Sequence, residues 1–351
     1  MPAENYTVED LDNYFHRLHI NTAWTLLTNF TAIYLVLTRT TKEMGNYKYY
    51  LLLTLFSPMI MDLHISVIFG IFMTMPVGGQ CAAGFVRHFG QFFGSIFQFG
   101  MMHETVSWAG VSLLYGFLYR YFSIKGTIHR FHNKRNIVFL ALFLLIYPMP
   151  AMIALYYGDR GHSYEEQLKF ILDNVPQYYF IYKEFKICNV LTENYKAAIY
   201  LSVAIIQILI VYTGYIVISV KIVRLLRKVK SSLTTATYVL QKQLFKALIF
   251  QCAIPLIFLA GPMWLLMAIV LFQLPYSGVY SQYAIQCLSL HASANAIMVI
   301  VMIKPYREGL YRITTRPFTN LWTKIKPKNC NDVVLVQKNK NISSVVNITV
   351  V

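Results

Sequence analysis

Charged residues are scarce in this chain of 351 residues. Only 13% of them are charged, whereas a soluble domain carries about a quarter. Hydrophobic residues make up 56% of the sequence. They come in blocks of about twenty, the length that crosses the hydrocarbon core of a bilayer. The shortage of polar surface excludes a soluble fold and predicts a membrane protein.

Acidic residues are the scarcer of the two charged kinds. The chain has 15 Asp and Glu against 31 Lys and Arg, which gives a formal net charge of +16. The basic residues lie between the apolar blocks and in the tail, whereas a nucleic-acid-binding protein would gather them in one domain. Their placement is typical of residues that set the orientation of a chain in the membrane. The predicted partner is therefore the bilayer and not nucleic acid.

Recognisable catalytic patterns are missing. His103 and Glu104 lack the second histidine that a zinc-binding helix places four residues after the first. We find no nucleophile elbow, phosphate loop or metal cluster. An enzyme, a metal site and a cofactor are therefore not expected. The internal repeat that marks many transporters is also missing from the sequence.

Seven apolar blocks predict an all-α, seven-transmembrane helix bundle. They cover Ile20 to Leu37, Tyr49 to Met73, Phe89 to Leu118, Ile137 to Tyr156, Ala197 to Val220, Ala247 to Phe272 and Gln282 to Ile303. Prolines should kink several of these spans, and Pro255 is the predicted hinge of the sixth. The third block is only moderately apolar and is rich in glycine, so it should lie inside the bundle.

The distribution of Lys and Arg predicts the orientation, because cytoplasmic loops carry the excess. Of the 31, 24 fall in the carboxyl tail or in loops on its side, and 7 fall on the other side. We therefore expect residues 1–19 outside the cell, the bundle over 20–303, a long extracellular loop over 158–196, a basic cytosolic loop over 221–246, and a cytosolic tail over 304–351.

Four Asn-x-Ser/Thr sequons, at Asn5, Asn29, Asn341 and Asn347, act as reporters of this topology. Asn5 is the predicted glycosylation site. Asn29 falls within a span, and the two tail sequons should stay bare. In the tail, apolar residues recur among basic ones in a way that suits an interfacial helix, which a disordered end should follow; they are Leu310, Ile313, Phe318, Leu321 and Trp322.

Cysteine is sparse, with five residues. On the predicted topology only Cys81 and Cys188 face the oxidising side. A disulfide between them would pin the long loop over the third helix as a lid, and the alternative is two thiols too far apart to bridge. Cys252 and Cys287 should be buried hydrophobes, and Cys330 is either palmitoylated or a bare cytosolic thiol.

Ionisable groups within spans are costly and mark functional sites by default. Glu104, His103, His291 and Asn295 are the predicted ligand cavity. Asp62 and His64 are the predicted structural polar core. The alternative for all of them is a structural role, with hydrogen bonds that fix the packing of the helices.

Basic residues at the cytosolic helix ends are the predicted contact surface for a partner. The set is Arg120, Arg224, Arg227, Lys228, Lys242, Lys246, Lys304 and Arg307. Such helix extensions can also bind acidic lipid, or serve topology alone. The chain ends in Thr349-Val350-Val351, which a PDZ groove could pair as an added strand.

Several short motifs resemble those of the nematode serpentine chemoreceptors, in particular class H and class I of the Str superfamily. They are Asn46-Tyr47-Lys48-Tyr49-Tyr50-Leu51-Leu52, Asp62-Leu63-His64, Pro76, Gln241-Lys242-Gln243-Leu244-Phe245-Lys246-Ala247-Leu248 with Gln251 and Pro255, and Lys304-Pro305-Tyr306-Arg307. The resemblance extends from the second span to the seventh.

The resemblance implies a G-protein-coupled receptor in the plasma membrane, displayed on sensory cilia. A small extracellular chemical would bind in the helix bundle, and a heterotrimeric G protein would bind the cytosolic helix ends. The chain departs from the rhodopsin-like pattern at two points: it has Tyr119-Arg120-Tyr121 in place of acid-Arg-Tyr, and Lys304-Pro305-Tyr306-Arg307 in place of Asn-Pro-x-x-Tyr. How the inactive state is held does not follow from these motifs.

A transporter or channel is the alternative function. In that case Asp62, Glu104 and His291 would line an ion or proton path. Ligand-evoked current in cells without G-protein signalling would favour this alternative.

Overall fold

The computed structural model describes residues 5–159, 163–192, 194–232 and 234–325. The helices in these ranges are α1 (Val8–Arg39), α2 (Tyr47–Leu63), α3 (Phe97–Ile124), α4 (Ile128–Phe131), α5 (Lys134–Ile146), α6 (Met149–Asp159), α7 (Tyr164–Asn174), α8 (Tyr179–Phe185), α9 (Asn194–Lys228), α10 (Thr235–Pro255), α11 (Gly261–Phe272), α12 (Ser277–Leu288), α13 (His291–Met302) and α14 (Lys304–Ile325). The strands are β1 (Ile71–Thr74), β2 (Gly79–Ala82) and β3 (Cys188–Asn189). The predicted features at Cys330, Asn341, Asn347 and 349–351 lie outside the described residues.

Within the described residues, six helical stretches are long and apolar enough to cross a membrane. They are Val8–Arg39, Tyr47–Ile68, Lys134–Gly158, Ile199–Lys228, Thr237–Phe272 and Ser277–Met302. The helix of the third span, α3, carries polar residues among its apolar ones and packs inside the bundle against α2, α6, α9 and α10. There its polar groups meet protein partners instead of lipid. The predicted seven-transmembrane helix bundle is confirmed.

The outer surface of the bundle is apolar. Helix α5 has no buried residue, and Ile137, Phe139 and Leu142 are each at least half exposed. An apolar surface of this extent suits hydrocarbon and would aggregate in water.

Helix α1 is longer than the sequence predicted. The first span was expected to start at Ile20, but α1 begins at Val8 because Thr7 caps it. The Thr7 hydroxyl accepts from the Asp10 amide, and the Asp10 carboxylate accepts from the Thr7 amide at 2.8 Å. This capping box satisfies two amides at the helix start. The predicted extracellular segment 1–19 is therefore largely helical in its described part.

Beyond the second and fourth spans the chain is more ordered than the predicted loops. The expected second span to Met73 is too long, because its helix ends in a π-helical turn at His64–Phe69, and Gly70 in the left-handed region leads into β1. The expected loop over 158–196 contains α7, α8 and β3. Strands β1, β2 and β3 form an antiparallel sheet in that order, a small β element that the all-α prediction did not include.

Three spans are interrupted. The fourth consists of α5 and α6, the sixth of α10, a π-helical turn (Leu256–Ala260) and α11, and the seventh of α12 and α13. In the fourth span the Ala151 amide bonds to the Pro148 carbonyl, which leaves the Tyr147 carbonyl without its helical donor. Gln207 Nε2 of α9 donates to that carbonyl at 2.5 Å. A side chain from the neighbouring span thus replaces the lost backbone bond.

The chain divides into two compact units after Arg307, four residues beyond the predicted end of the bundle. The first unit holds the helix bundle and the sheet. The described part of the second is the remainder of α14, residues 308–325.

Candidate functional site

One end of the bundle, which we call the disulfide end, is closed by a covalent cap. Cys81 of β2 and Cys188 of β3 lie opposite each other in the sheet and are joined by a disulfide. Tyr14 of α1 donates to the Ile71 carbonyl of β1 at 2.8 Å. Arg87 forms an ion pair with Asp12 of α1 at 2.6 Å. The cap therefore joins the long loop, the sheet and the first helix.

The amino-terminal segment extends this cap. Tyr6 stacks on Tyr178 with ring centroids 4.8 Å apart and meets the edge of Phe72 at 5.7 Å. Its amide donates to the Gln177 carbonyl at 2.9 Å. A Cβ at Gly278 would collide with the Tyr6 hydroxyl, so glycine is required for this close approach. The segment lies over the start of α12 and is held mainly by aromatic contacts.

The phenols of the cap remain protonated. Burial raises the pKa of Tyr178, and neighbouring Tyr6 acts in the same direction. Burial also raises the pKa of Tyr182, whose hydroxyl lies 3.1 Å from Thr74 Oγ1. The cap tyrosines can therefore donate hydrogen bonds at any physiological pH.

In the middle of the bundle Asp62 stabilises the break in the seventh span. Its Oδ2 accepts from the Ala292 amide at 2.9 Å, at the first turn of α13. Thr25 of α1 donates to the same oxygen at 3.5 Å and lies 2.9 Å from Ser293. A side-chain oxygen at a helix amino terminus satisfies an amide that has no partner within the helix. Asp62 thus links the first, second and seventh spans, as a structural polar residue would.

A second polar site, one turn farther along α13, lies beside a proline of the second span and a proline of the sixth. Pro58 has no N–H for the carbonyl of Thr54, and Pro255 has none for the carbonyl of Gln251. Asn295 of α13 donates through Nδ2 to the Thr54 carbonyl at 2.7 Å. Gln251 Nε2 donates to Asn295 Oδ1 at 3.0 Å. The amide of Asn295 therefore connects the second span, near Pro58, to the sixth span, near Pro255.

A small cavity lies at this connection, and we call it the proline cavity. It is lined by Thr54, Pro58, Ala109, Leu113, Gln251, Pro255, His291 and Asn295. Its volume is about 10 Å³, room for about one water molecule. An organic ligand needs a cleft of several hundred Å³, so this cavity can hold one only if the surrounding helices separate.

The four residues of the predicted ligand cavity do not all meet there. His291 and Asn295 line the proline cavity. His103 Nε2 lies 2.9 Å from Gln207 Oε1, and Nδ1 lies 3.3 Å from the Tyr200 hydroxyl. Both ring nitrogens of His103 thus contact α9, between the third and fifth spans.

Glu104 and His64 also have partners of their own. Glu104 accepts from Trp108 Nε1, one turn along α3, at 2.8 Å. His64 Nε2 lies 2.8 Å from Gln98 Oε1 and links the second and third spans. Neither lines the proline cavity, and the contacts of His64 are those of a residue that fixes helix packing.

At the opposite end of the bundle, the basic end, Arg120 is enclosed by aromatic and amide groups. It is 1% exposed, and its guanidinium carbon lies 3.4 Å from the centre of the Tyr47 ring. Nη1 donates to Gln241 Oε1 of α10 at 3.1 Å. The ring of Tyr119 stacks on Tyr47 with centroids 5.6 Å apart. Arg120 therefore joins the second, third and sixth spans.

Arg120 belongs to the predicted contact surface for a partner, and its burial means that a partner can reach it only when the helices move apart. The cation–π contact with Tyr47 and the hydrogen bond to Gln241 stabilise the charge of Arg120 inside the bundle. The other predicted basic residues are exposed at this end: Arg224, Arg227, Lys228, Lys242, Lys246, Lys304 and Arg307. Tyr306 is buried beside them, and its hydroxyl lies 2.8 Å from Thr40 Oγ1.

Some of the residues in these sites carry a signal that sequence reasoning can use. A proline within a span identifies the carbonyl four residues earlier as one that needs a new donor, so Pro58 points to Thr54 and Pro255 to Gln251. The sequence does not reveal which residue supplies the donor. Asn295 and Gln241 become partners of distant groups only through helix packing.

The fold and these sites define a multi-pass membrane protein with the architecture of a seven-helix receptor. The family described as serpentine type 7TM GPCR chemoreceptor Sri matches residues 9–310, and the chain belongs to that family. The predicted membership of the nematode serpentine chemoreceptors is therefore confirmed. The family is one of receptors and not of enzymes.

A curated relative has the same character. Over 256 residues the chain is 24% identical to the serpentine receptor class delta-33 of Caenorhabditis elegans. The similarity covers 70% of each chain.

Proposed function

We propose that the protein is a chemosensory receptor of class H or class I that binds a small extracellular chemical and signals through a heterotrimeric G protein. The observation that carries the proposal is the Arg120 cluster (Arg120, Tyr47, Tyr119 and Gln241) in a chain of this family. The cluster joins the second, third and sixth spans at the basic end through non-covalent contacts that can break and reform. A bundle with such contacts can exist in two states, and a ligand shifts their populations by its differential affinity for them.

In this proposal the receptor lies in the plasma membrane of sensory cilia. The disulfide end faces outside the cell, and the basic end lies in the cytosol. An excess of Lys and Arg on one side of the bundle supports this orientation. Asn5 supports it as well, because its side chain is exposed at the disulfide end and is free to carry a glycan. A disulfide also requires an oxidising compartment.

The ligand binds in the bundle between the cap and the proline cavity, among the third, fifth, sixth and seventh spans. His103 on the third span and His291 on the seventh are the polar groups that bound this region. The ligand is small and partly apolar, since aromatic and aliphatic side chains dominate these spans. It favours the state in which these helices separate.

Ligand binding is transmitted through the break at Pro255. Movement of α10 about this break withdraws Gln241 from Arg120 and exposes Arg120 to the cytosol. The exposed basic residues, Arg224, Arg227, Lys228, Lys242, Lys246, Lys304 and Arg307, then bind the G protein. A PDZ protein is a further partner for residues 349–351.

A transport path is less well supported. Asp62 is occupied with the first turn of α13, and Glu104 bonds to Trp108. These carboxylates serve helix packing, and no described contact links them into a chain of sites.

Glycosylation mapping of the full-length chain in microsomes tests the orientation. Wild type is compared with Asn5→Gln and with the double change Asn341→Gln, Asn347→Gln. Loss of a glycan in Asn5→Gln alone is the expected result. Loss only with the tail changes would place the basic end in the lumen and overturn the proposal.

Resonance energy transfer between G-protein subunits in cultured cells tests signalling. A panel of small chemicals is screened on the wild type and on Pro255→Ala, with whole-cell current recorded in parallel. Subunit dissociation in wild type alone is expected. Ligand-evoked current without dissociation would instead favour a channel.

A further inference from the structure

The proline cavity contains more polar groups than bonds between them. His291 is 3% exposed, and neither of its ring nitrogens has a hydrogen-bond partner among the described residues. Gln251 is 1% exposed, and its Oε1 is also without a donor there. Buried polar groups are satisfied in at least nine cases out of ten, by protein or by ordered water. Unmet groups on two different spans facing one cavity require a common explanation.

We infer that the proline cavity is a binding site for one ordered water molecule, which bridges His291 of the seventh span and Gln251 of the sixth. Neutral imidazole offers one donor and one acceptor, and Gln251 Oε1 is an acceptor. The Gln251 carbonyl, which Pro255 cannot pair, lies in the same turn as a further acceptor. A buried water needs two to four such partners, and the site supplies them.

The size of the cavity selects water over other occupants. About 10 Å³ matches one water and is far too small for an organic ligand. A metal ion would need several ligands, and in the described part of the chain no group of three His, Cys, Asp or Glu side chains could hold one. The remaining lining is apolar or already bonded, as with Asn295, which donates to Thr54 and accepts from Gln251.

This water completes a polar connection across two broken helices. Asn295 joins the sixth span to the second at Thr54, and the water joins the sixth span to His291 at the start of α13. Because the water is not covalently attached, it can be displaced and the connection reformed without repacking an apolar core. The water site stands without the proposed ligand or G protein.

Radiolytic hydroxyl labelling of the full chain in lipid nanodiscs tests the site, because radicals formed from a bound water oxidise the side chains beside it. Pro58 is the reporter, since it is buried and lines the cavity. Pro262 is the matched control, since it is buried but does not line this cavity. We expect Pro58 to be oxidised well above Pro262 in the wild type. Equal labelling would show a dry cavity and overturn the inference.

Variants test which residues hold the water. In the double variant His291→Leu, Gln251→Leu the labelling of Pro58 should fall to that of Pro262. His291→Gln keeps a donor and an acceptor and should retain the labelling. Persistent labelling in the double variant would show that other groups hold the water. The wild-type result decides the presence of the water even if the double variant does not fold.

Discussion

The disulfide end and the basic end of the bundle are held together by different kinds of contact. At the disulfide end a covalent bond closes a 107-residue separation, and a sheet and an ion pair reinforce it. At the basic end Arg120 joins three spans through a cation–π contact with Tyr47 and a hydrogen bond to Gln241. The disulfide cannot be broken without a chemical reaction, whereas the contacts of Arg120 are non-covalent and can be broken and reformed.

This difference indicates where the bundle can move. Breaks in the sixth and seventh spans lie between the two ends, at Pro255 and between α12 and α13. A hinged transition needs a rigid end, helix interruptions in the middle, and an end whose contacts can break and reform. The following predictions test whether the two ends differ in this way, from the largest expected effect to the smallest.

Removal of the disulfide should have the largest effect on stability. Cys81→Ser or Cys188→Ser should lower the free energy of unfolding by about 2–5 kcal/mol, since the disulfide restricts the unfolded chain. Thermal unfolding of purified receptor measures the change. Cys287→Ser, a free cysteine within the seventh span, is the control and should change little. Equal effects of all three would contradict a special role of the cap.

Loss of the hydrogen bond between Arg120 and Gln241 at the basic end should change signalling more than stability. Gln241→Leu removes a hydrogen bond to a charged group, worth about 1.5–3 kcal/mol. Basal G-protein activation per receptor at the surface should rise by about tenfold, since 1.4 kcal/mol is a factor of ten.

Gln273→Leu is the matched control for this change. Gln273 bonds to Val270 of its own helix and is exposed. Unchanged basal activity in Gln241→Leu at normal surface level would show that the Arg120 cluster does not hold the inactive state.

Restoring the helix at Pro255 should impair signalling while leaving folding intact. Pro255→Ala supplies an amide for the Gln251 carbonyl and so stiffens the sixth span. In the Gln241→Leu background, basal activation should fall toward that of the wild type. Pro262→Ala is the control, because Pro262 lies in the same span but not beside the Gln251 carbonyl or the proline cavity. Full activity of Pro255→Ala at normal surface level would exclude the hinge.

The aromatic contact of the amino-terminal segment should contribute least. Tyr6→Leu loses the stacking on Tyr178, worth about 0.5–1.5 kcal/mol. Hydrogen exchange of the amides over 177–182 should quicken modestly in this variant. Tyr6→Phe keeps the ring and should behave as wild type. A loss as large as that of the disulfide variants would make the segment, and not the covalent bond, the main closure of this end.

Several features of this architecture could be predicted from the sequence because they depend on composition along the chain. Apolar blocks of the right length predict the spans, and the mixed composition of the third predicts its place inside the bundle. Pro255 predicts a break in the sixth span. These signals are local, so packing does not override them.

Other features depend on which side chains meet across the bundle. The sequence grouped His103, Glu104, His291 and Asn295 in one cavity. In the structure His103 faces α9, whereas His291 and Asn295 face the proline cavity. The difference arises because neighbouring residues on a helix point in different directions, and only packing decides which groove each one enters.

The amino-acid sequence by itself thus determined the membrane environment, the seven spans and the membership of a chemoreceptor family. The tertiary structure decided that Asp62 caps α13, that Asn295 joins the second span to the sixth, and that Arg120 is buried against Tyr47 and Gln241. The physical reason is that hydrophobic burial needs only the right residue types along the chain, whereas a hydrogen bond needs two particular groups within about 3 Å of each other.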